Sequence, residues 1–266
     1  MTKSIRTLFT ACVATMLWAA CDNNSLTEQA APCEDVHIRV AAPTRAAKSD
    51  FAEGDSIGIF AVERSIEQTA ALPSIRPGRA NNAKWVRDAE GNWYPATVAD
   101  RITWSQSGTR MDFYAYYPYD PSLTDPCSIV LNLTRQTAGS DVLRAVNSQG
   151  LTKGEVLLSF DHVLSRIDVW ITGAAEGDVV RMTGARTSAT MNLGTGTVTP
   201  TGGEAALTLS EERTGEQGKT LYQALLPAQT FSGQIQCEHA GATYLIDFKD
   251  LTLKTGVCQP IELTLR

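Results

Sequence analysis

Apolar residues recur at every second position in many short runs of this chain, and no segment sustains a helical period. Val36, Ile38 and Val40 alternate with Asp35, His37 and Arg39, and in a second run Ile57, Ile59 and Ala61 share one face. Alternation of this kind sets one side of a strand against a core. A small, polar connector, AAPTRAAKSD, joins the two runs and carries Arg45 among small side chains. Exposed connectors with small residues are where proteases cut. A strand tied to its domain only by a cuttable loop is removable, and its loss would leave an open groove.

The pattern continues downstream. SIEQTAALPSIRPGRANNAKW reads as a long loop. Trp85-Val86-Arg87 and Trp93-Tyr94-Pro95 flank DAEGN, which predicts a hairpin. Met111 to Tyr119 (MDFYAYYPY) predicts an aromatic strand, with Phe113, Ala115 and Tyr117 on one face and Tyr114 and Tyr116 on the other. Strand-like runs follow at Ser128–Leu133, Val156–Phe160, His162–Ile171 and at intervals to Gln259–Leu265, while Asp141–Ala145 (DVLRA) reads as a short helical turn. Gly, Thr, Asn and Pro separate these runs, so the expected fold is all-β, built of antiparallel β-sandwiches. The Gly-rich region Gly150 to Gly154 marks the expected boundary, with one sandwich over 35–152 and a second over 153–266.

The start of the chain differs from the rest. Lys3 and Arg6 precede an apolar run, Leu8 to Ala20, that is shorter than the roughly 20 residues a membrane span needs. Residues 1–20 therefore read as a secretory signal peptide. It ends Leu17-Trp18-Ala19-Ala20-Cys21, small residues before a cysteine as in a bacterial lipobox, with Trp18 in place of the usual aliphatic. Cys21 is the expected lipid carrier, which would anchor the protein to one leaflet. Residues 21–34 would then form a polar tether.

Length and charge narrow the function. A chain of 266 residues accommodates one large or two modest domains. A net charge of −6 argues against a nucleic-acid partner, which requires clustered Lys and Arg. Outside the signal and Cys21 the cysteines are Cys33, Cys127, Cys237 and Cys258. Export permits disulfides, and Cys237 could face Cys258, leaving Cys33 with Cys127; isolated buried thiols are an equal alternative. None has zinc-site spacing.

No phosphate loop, GxSxG or HExxH motif is present. His162 follows Asp161, with Ser159 and Ser165 nearby, yet strand neighbours point to opposite faces and so do not form a triad. The chain is accordingly read as a non-enzyme, with no cofactor and no metal. Tyr114, Tyr116 and Tyr119 could line a glycan-binding face, although large aromatics at strand spacing more often pack a core.

Several segments, in order, resemble the fimbrillin family of Bacteroides-type pili (Mfa-like, type V pilus subunits). They are the signal ending at Cys21, Thr44-Arg45-Ala46, FAEGDSIGIF from Phe51, DFYAYYPY from Asp112 and QTAGSDVLRA from Gln136. LSFDHVLSRIDVWI from Leu158, MNLGTGTV from Met191 and YQALLPAQTF from Tyr222 complete the set. The resemblance implies two tandem transthyretin-like β-sandwiches in an outer-membrane lipoprotein. It further implies that an arginine-specific protease removes the first strand and that another pilus subunit refills the groove. On that pattern Cys21 is the lipid site, the Arg45–Ala46 bond the cut, and Val36, Ile38 and Val40 the strand removed. Ile261, Leu263 and Leu265 alternate in the last segment and are the candidate donor strand. Burial of the three first-strand residues would contribute about 5–9 kcal/mol at about 1.5–3 kcal/mol each. The modest length fits a minor, tip or anchor subunit. The alternative is a non-polymerising outer-membrane lipoprotein that binds glycan through an aromatic face.

Overall fold

Alternating runs become strands throughout the computed structural model, which describes residues 34–42, 51–71, 74–105, 109–136, 140–175, 177–212 and 218–265. In chain order the strands are β1 (His37–Ala41), β2 (Ser56–Ser65), β3 (Ala80–Arg87), β4 (Trp93–Pro95), β5 (Thr109–Tyr117) and β6 (Ile129–Asn132). Then come β7 (Leu143–Leu151), β8 (Glu155–His162), β9 (Ser165–Thr172), β10 (Val179–Met182), β11 (Arg186–Met191) and β12 (Val198–Glu204). The last are β13 (Leu207–Thr208), β14 (Ser210–Glu212), β15 (Lys219–Leu226), β16 (Thr230–His239), β17 (Ala242–Thr252) and β18 (Cys258–Thr264). One 3-10 turn, Val98–Asp100, is the helical element among the described residues.

Four sheets result. A seven-stranded sheet runs β1-β8-β7-β5-β2-β3-β4, and a three-stranded sheet runs β12-β11-β6. Two four-stranded sheets run β14-β15-β9-β18 and β13-β10-β16-β17. Side-chain alternation explains how they stack. In β8, Val156, Leu158, Phe160 and His162 point inward while the residues between them are exposed. Val156, Leu158 and Phe160 join Ile57, Ile59, Phe113 and Ala115 in a core on one face of the large sheet. Phe51 packs edge-on against Trp93, Tyr117 and Phe160 there.

The central strands β2 and β5 are buried on both faces. Phe60, Val62, Tyr114 and Tyr116, on the far side, pack with Ile129, Leu131, Ala189 and Met191 of the three-stranded sheet. Gly58 permits this, because a Cβ there would strike the Tyr116 ring and Asn82. The two four-stranded sheets enclose a separate core of Ile167, Val169, Tyr222 and Leu226 with Val180, Met182, Ile235 and Cys237.

Three expectations need correction. Asp141–Ala145 is no helical turn: Leu143 and Ala145 are buried at alternate positions and begin β7. The pairing is not purely antiparallel, since β1–β8 and β18–β9 are parallel. Nor does strand pairing respect the line at 152/153. β8 belongs to the seven-stranded sheet, and β6 crosses to β11. Pairing passes from one large body of sheet to the other between His162 and Ser165, because β8 still has its apolar residues directed into the first core.

An ion pair ties the central strands. Arg64 Nε donates to Asp112 Oδ2 at 2.9 Å, and each side chain is 1% exposed. The Gly150 amide donates to Asp112 Oδ1 at 2.9 Å. Asp112→Ala, which strands a buried guanidinium, is expected to lower stability in urea unfolding by about 3–5 kcal/mol. Arg39→Ala, which breaks an exposed pair with Glu155, should cost under about 1 kcal/mol in the same measurement.

Candidate functional site

β1 is an edge strand. It runs parallel to β8 with His37 beside Glu155, Ile38 beside Val156 and Val40 beside Leu158, ending at Ala41 beside Ser159. The pairing partner matters, because the β7–β8 ladder covers only Phe160–His162 of β8 against Leu143–Ala145. The first half of β8 therefore takes its strand pairing from β1. On the other side the β1 segment is fastened just ahead of the strand. The Val36 amide donates to the Ile102 carbonyl and the Trp104 amide to the Glu34 carbonyl, both at 2.8 Å.

Val36 is 3% exposed, while Ile38 and Val40 are only partly buried against the same core. The sequence estimate of three fully buried side chains is thus too high. Val36 contributes about 1.5–3 kcal/mol and the other two less. What lies beneath is more telling: Val156 and Leu158 are fully buried, and lifting β1 would uncover them along with a row of unpaired backbone groups.

From His37 onward the outer edge of β1 faces β4 across a cleft of about 480 Å³. Its inward-facing residues, Val36, Ile38 and Val40, meet Trp85, Trp93 and Ile102. Ion pairs border the opening: Arg39 with Glu155 at 3.1 Å, and Arg101 with Asp35. Sequence reasoning named β1 and the Trp85–Trp93 hairpin separately and missed the space between them. Each half had a local signal, but their adjacency had none.

The other singled-out residues fall in different places. Ile261, Leu263 and Leu265 lie in or just after β18, an edge strand parallel to β9, with Ile261 beside Val169 and Leu263 beside Ile171. All three are partly buried on the C-terminal core. Cys21, Cys33, Arg45 and Ala46 lie outside the described residues. Tyr114 and Tyr116 are 4% and 3% exposed, so these rings do not form a surface platform. Burial pushes the Tyr116 phenol up from its ordinary value, and its hydroxyl is held between Asn82 Oδ1 at 2.8 Å and the Asp120 carbonyl at 3.0 Å. Tyr119 is half-buried, with Lys84 Nζ 5.4 Å above its ring.

His162 lies 2.8 Å from Asp141, both buried, while Asp161 points outward. His239 meets Asp178 at 2.7 Å. Among the described residues no cluster of three or more ligating side chains could hold a metal ion. Cys127, Cys237 and Cys258 are free thiols, so the Cys237–Cys258 pairing is not formed. Cys237 points into the C-terminal core from β16, whereas Cys258 sits on β18 in the opposite sheet and donates to Asp168 Oδ2 at 3.0 Å.

Residues 44–266 match a family model described as fimbrillin-like. A Bacteroides uniformis protein named as a candidate fimbrium subunit, Fim1C, is 26% identical over 179 residues, 62% of this chain and 54% of that protein. The match thus spans about half the length of that curated relative. Two crystal structures share the fold. A candidate cell adhesion protein from Bacteroides uniformis aligns with a TM-score of 0.66 at 21% identity, covering 87% of this chain and 93% of that one. Its counterpart from Bacteroides ovatus aligns with a TM-score of 0.63 at 16% identity, covering 87% and 91%.

Burial, and then the hydrogen bond to Asp168, raises the Cys258 thiol above its ordinary value. The thiolate, which is the reactive form, is therefore scarcer near neutrality than in an unhindered cysteine. Alkylation of Cys258 by iodoacetamide, followed by peptide mass spectrometry, should be slower than that of a model thiol at pH 8. It should climb only at higher pH, and Asp168→Asn should move the profile down.

Proposed function

This chain belongs to the fimbrillin-like family, and from that membership we propose that it is a structural subunit of a cell-surface fimbria, assembled by strand replacement. The observation that carries the reading is the place of β1 at a sheet edge, laid over Val156 and Leu158 with its connector to β2 following directly. The family match begins at residue 44, beside Arg45. An arginine-specific protease cutting between Arg45 and Ala46 would separate β1 from everything downstream. The exposed half of β8 then lacks its strand partner, and its inward side chains lose their cover. A strand with apolar residues at every second position restores both, and strand addition of this kind is an established recognition mode.

Another copy's Ile261, Leu263 and Leu265 meet that requirement. In this chain they already lie on an edge strand in parallel pairing, the same relation that β1 has to β8. Upstream, Cys21 would carry the lipid that holds the precursor at the outer membrane. The partners are thus other pilus subunits and the protease. The separate core between the two four-stranded sheets supports a second transthyretin-like sandwich in tandem with the one built on the seven-stranded and three-stranded sheets. Nothing in this role requires chemistry from the protein.

The test is the intact mass and N-terminal residue of the protein recovered from the cell surface. Subunits in filaments should begin at Ala46, and Arg45→Ala should abolish the shorter form. A chain in isolated filaments that still begins at Cys21 would overturn removal of β1. Loss of lipid labelling in Cys21→Ala checks the anchor.

A further inference from the structure

The cleft between β1 and β4 has the build of a small-molecule site. At about 480 Å³ it lies within the range of about 300–1,000 Å³ typical of such sites. Its walls come in two layers. The deep layer is apolar and aromatic, with Ile38 and Val40 on the β1 side and Trp85 and Trp93 on the other. The outer layer holds two arginines and two carboxylates beside the exposed Tyr94.

Width and charge decide between occupants. Cα atoms of β1 and β4 approach within 8 Å, whereas a strand inserted between two others needs about 4.8 Å on each side. Where they approach, the cleft is therefore too narrow for a further strand. Among the described residues that line the cleft, Arg39 is paired with Glu155 and Arg101 with Asp35, so these four charges cancel and set up no net preference for an anion or a cation. What remains is a rim that offers donors and acceptors side by side, over a floor that accepts a C–H face. A sugar ring has both surfaces. We infer that this cleft binds a neutral saccharide, and that β1 is one of its walls.

The shared wall links binding to assembly, a consequence that rests on the proposed replacement of β1. A ligand that needs β1 in place stabilises the seated form in proportion to its occupancy. At a hundred times its dissociation constant it would reduce the released population about a hundredfold. Saccharide binding and strand release therefore oppose each other.

The uncleaved full-length protein is tested on an array of neutral and sialylated oligosaccharides, and the best neutral hit is titrated by tryptophan fluorescence. Neutral oligosaccharides should bind in preference to their sialylated counterparts. Tyr94→Ala or Glu155→Gln should weaken binding tenfold or more; Tyr94 is 54% exposed and the Glu155 side chain 56%, so neither substitution threatens the fold. No neutral hit, a preference for sialylated glycans, or full affinity in both variants would overturn the proposal. Filament formation does not enter this readout. A protein that binds sugar but never polymerises would sink the assembly reading and leave the site standing, and the opposite result would do the reverse.

Discussion

The parallel ladder between β1 and β8 is the contact on which the first half of the molecule depends. β8 is shared lengthwise: its end pairs with β7, and its beginning pairs with β1. Its inward residues are fully buried because both neighbours are in place. An edge strand is usually dispensable to the strand beside it. Here the edge strand supplies the backbone partners of a whole half-strand, and it lies over side chains that belong to the core. Removal is easy in topology and unfavourable in energy.

The rest of the fold holds still around this edge. β2 and β5 are buried on both faces, and Arg64 with Asp112 joins them through a pair that water does not reach. Tyr116 lies across Gly58 and ties the far face to the loop at Asp120. These features sit at the centre of the seven-stranded sheet, away from β1. The C-terminal body repeats the arrangement with its own separate core and its own parallel edge strand, β18.

Much of this was legible in the sequence. The alternation at Val36, Ile38 and Val40 marked the strand and its inward face. DAEGN between two tryptophan-bearing runs marked the hairpin of β3 and β4, and MDFYAYYPY gave both faces of β5 correctly. Pairing was not legible. β1 finds its partner far along the chain, and a parallel pair has no connecting turn to announce it. The same blindness hid β6 against β11 and placed the change of sheet too early. DVLRA misled because it combines good helix formers with an apolar alternation, and tertiary burial of Leu143 and Ala145 settled the matter. The cleft was invisible for a related reason: its walls come from segments that share no local pattern.

The distance along the chain between β1 and β8 also sets an order of events. β1 leaves the ribosome ahead of its strand partner, which follows only after β2, β3, β4, β5, β6 and β7. Contacts between such remote segments form late, because the intervening chain must first be brought together. The opening strand is therefore first to arrive and among the last to be seated. Until it is seated, the first half of β8 lacks its strand partner, so the part of the core around Val156 and Leu158 is completed near the end of folding.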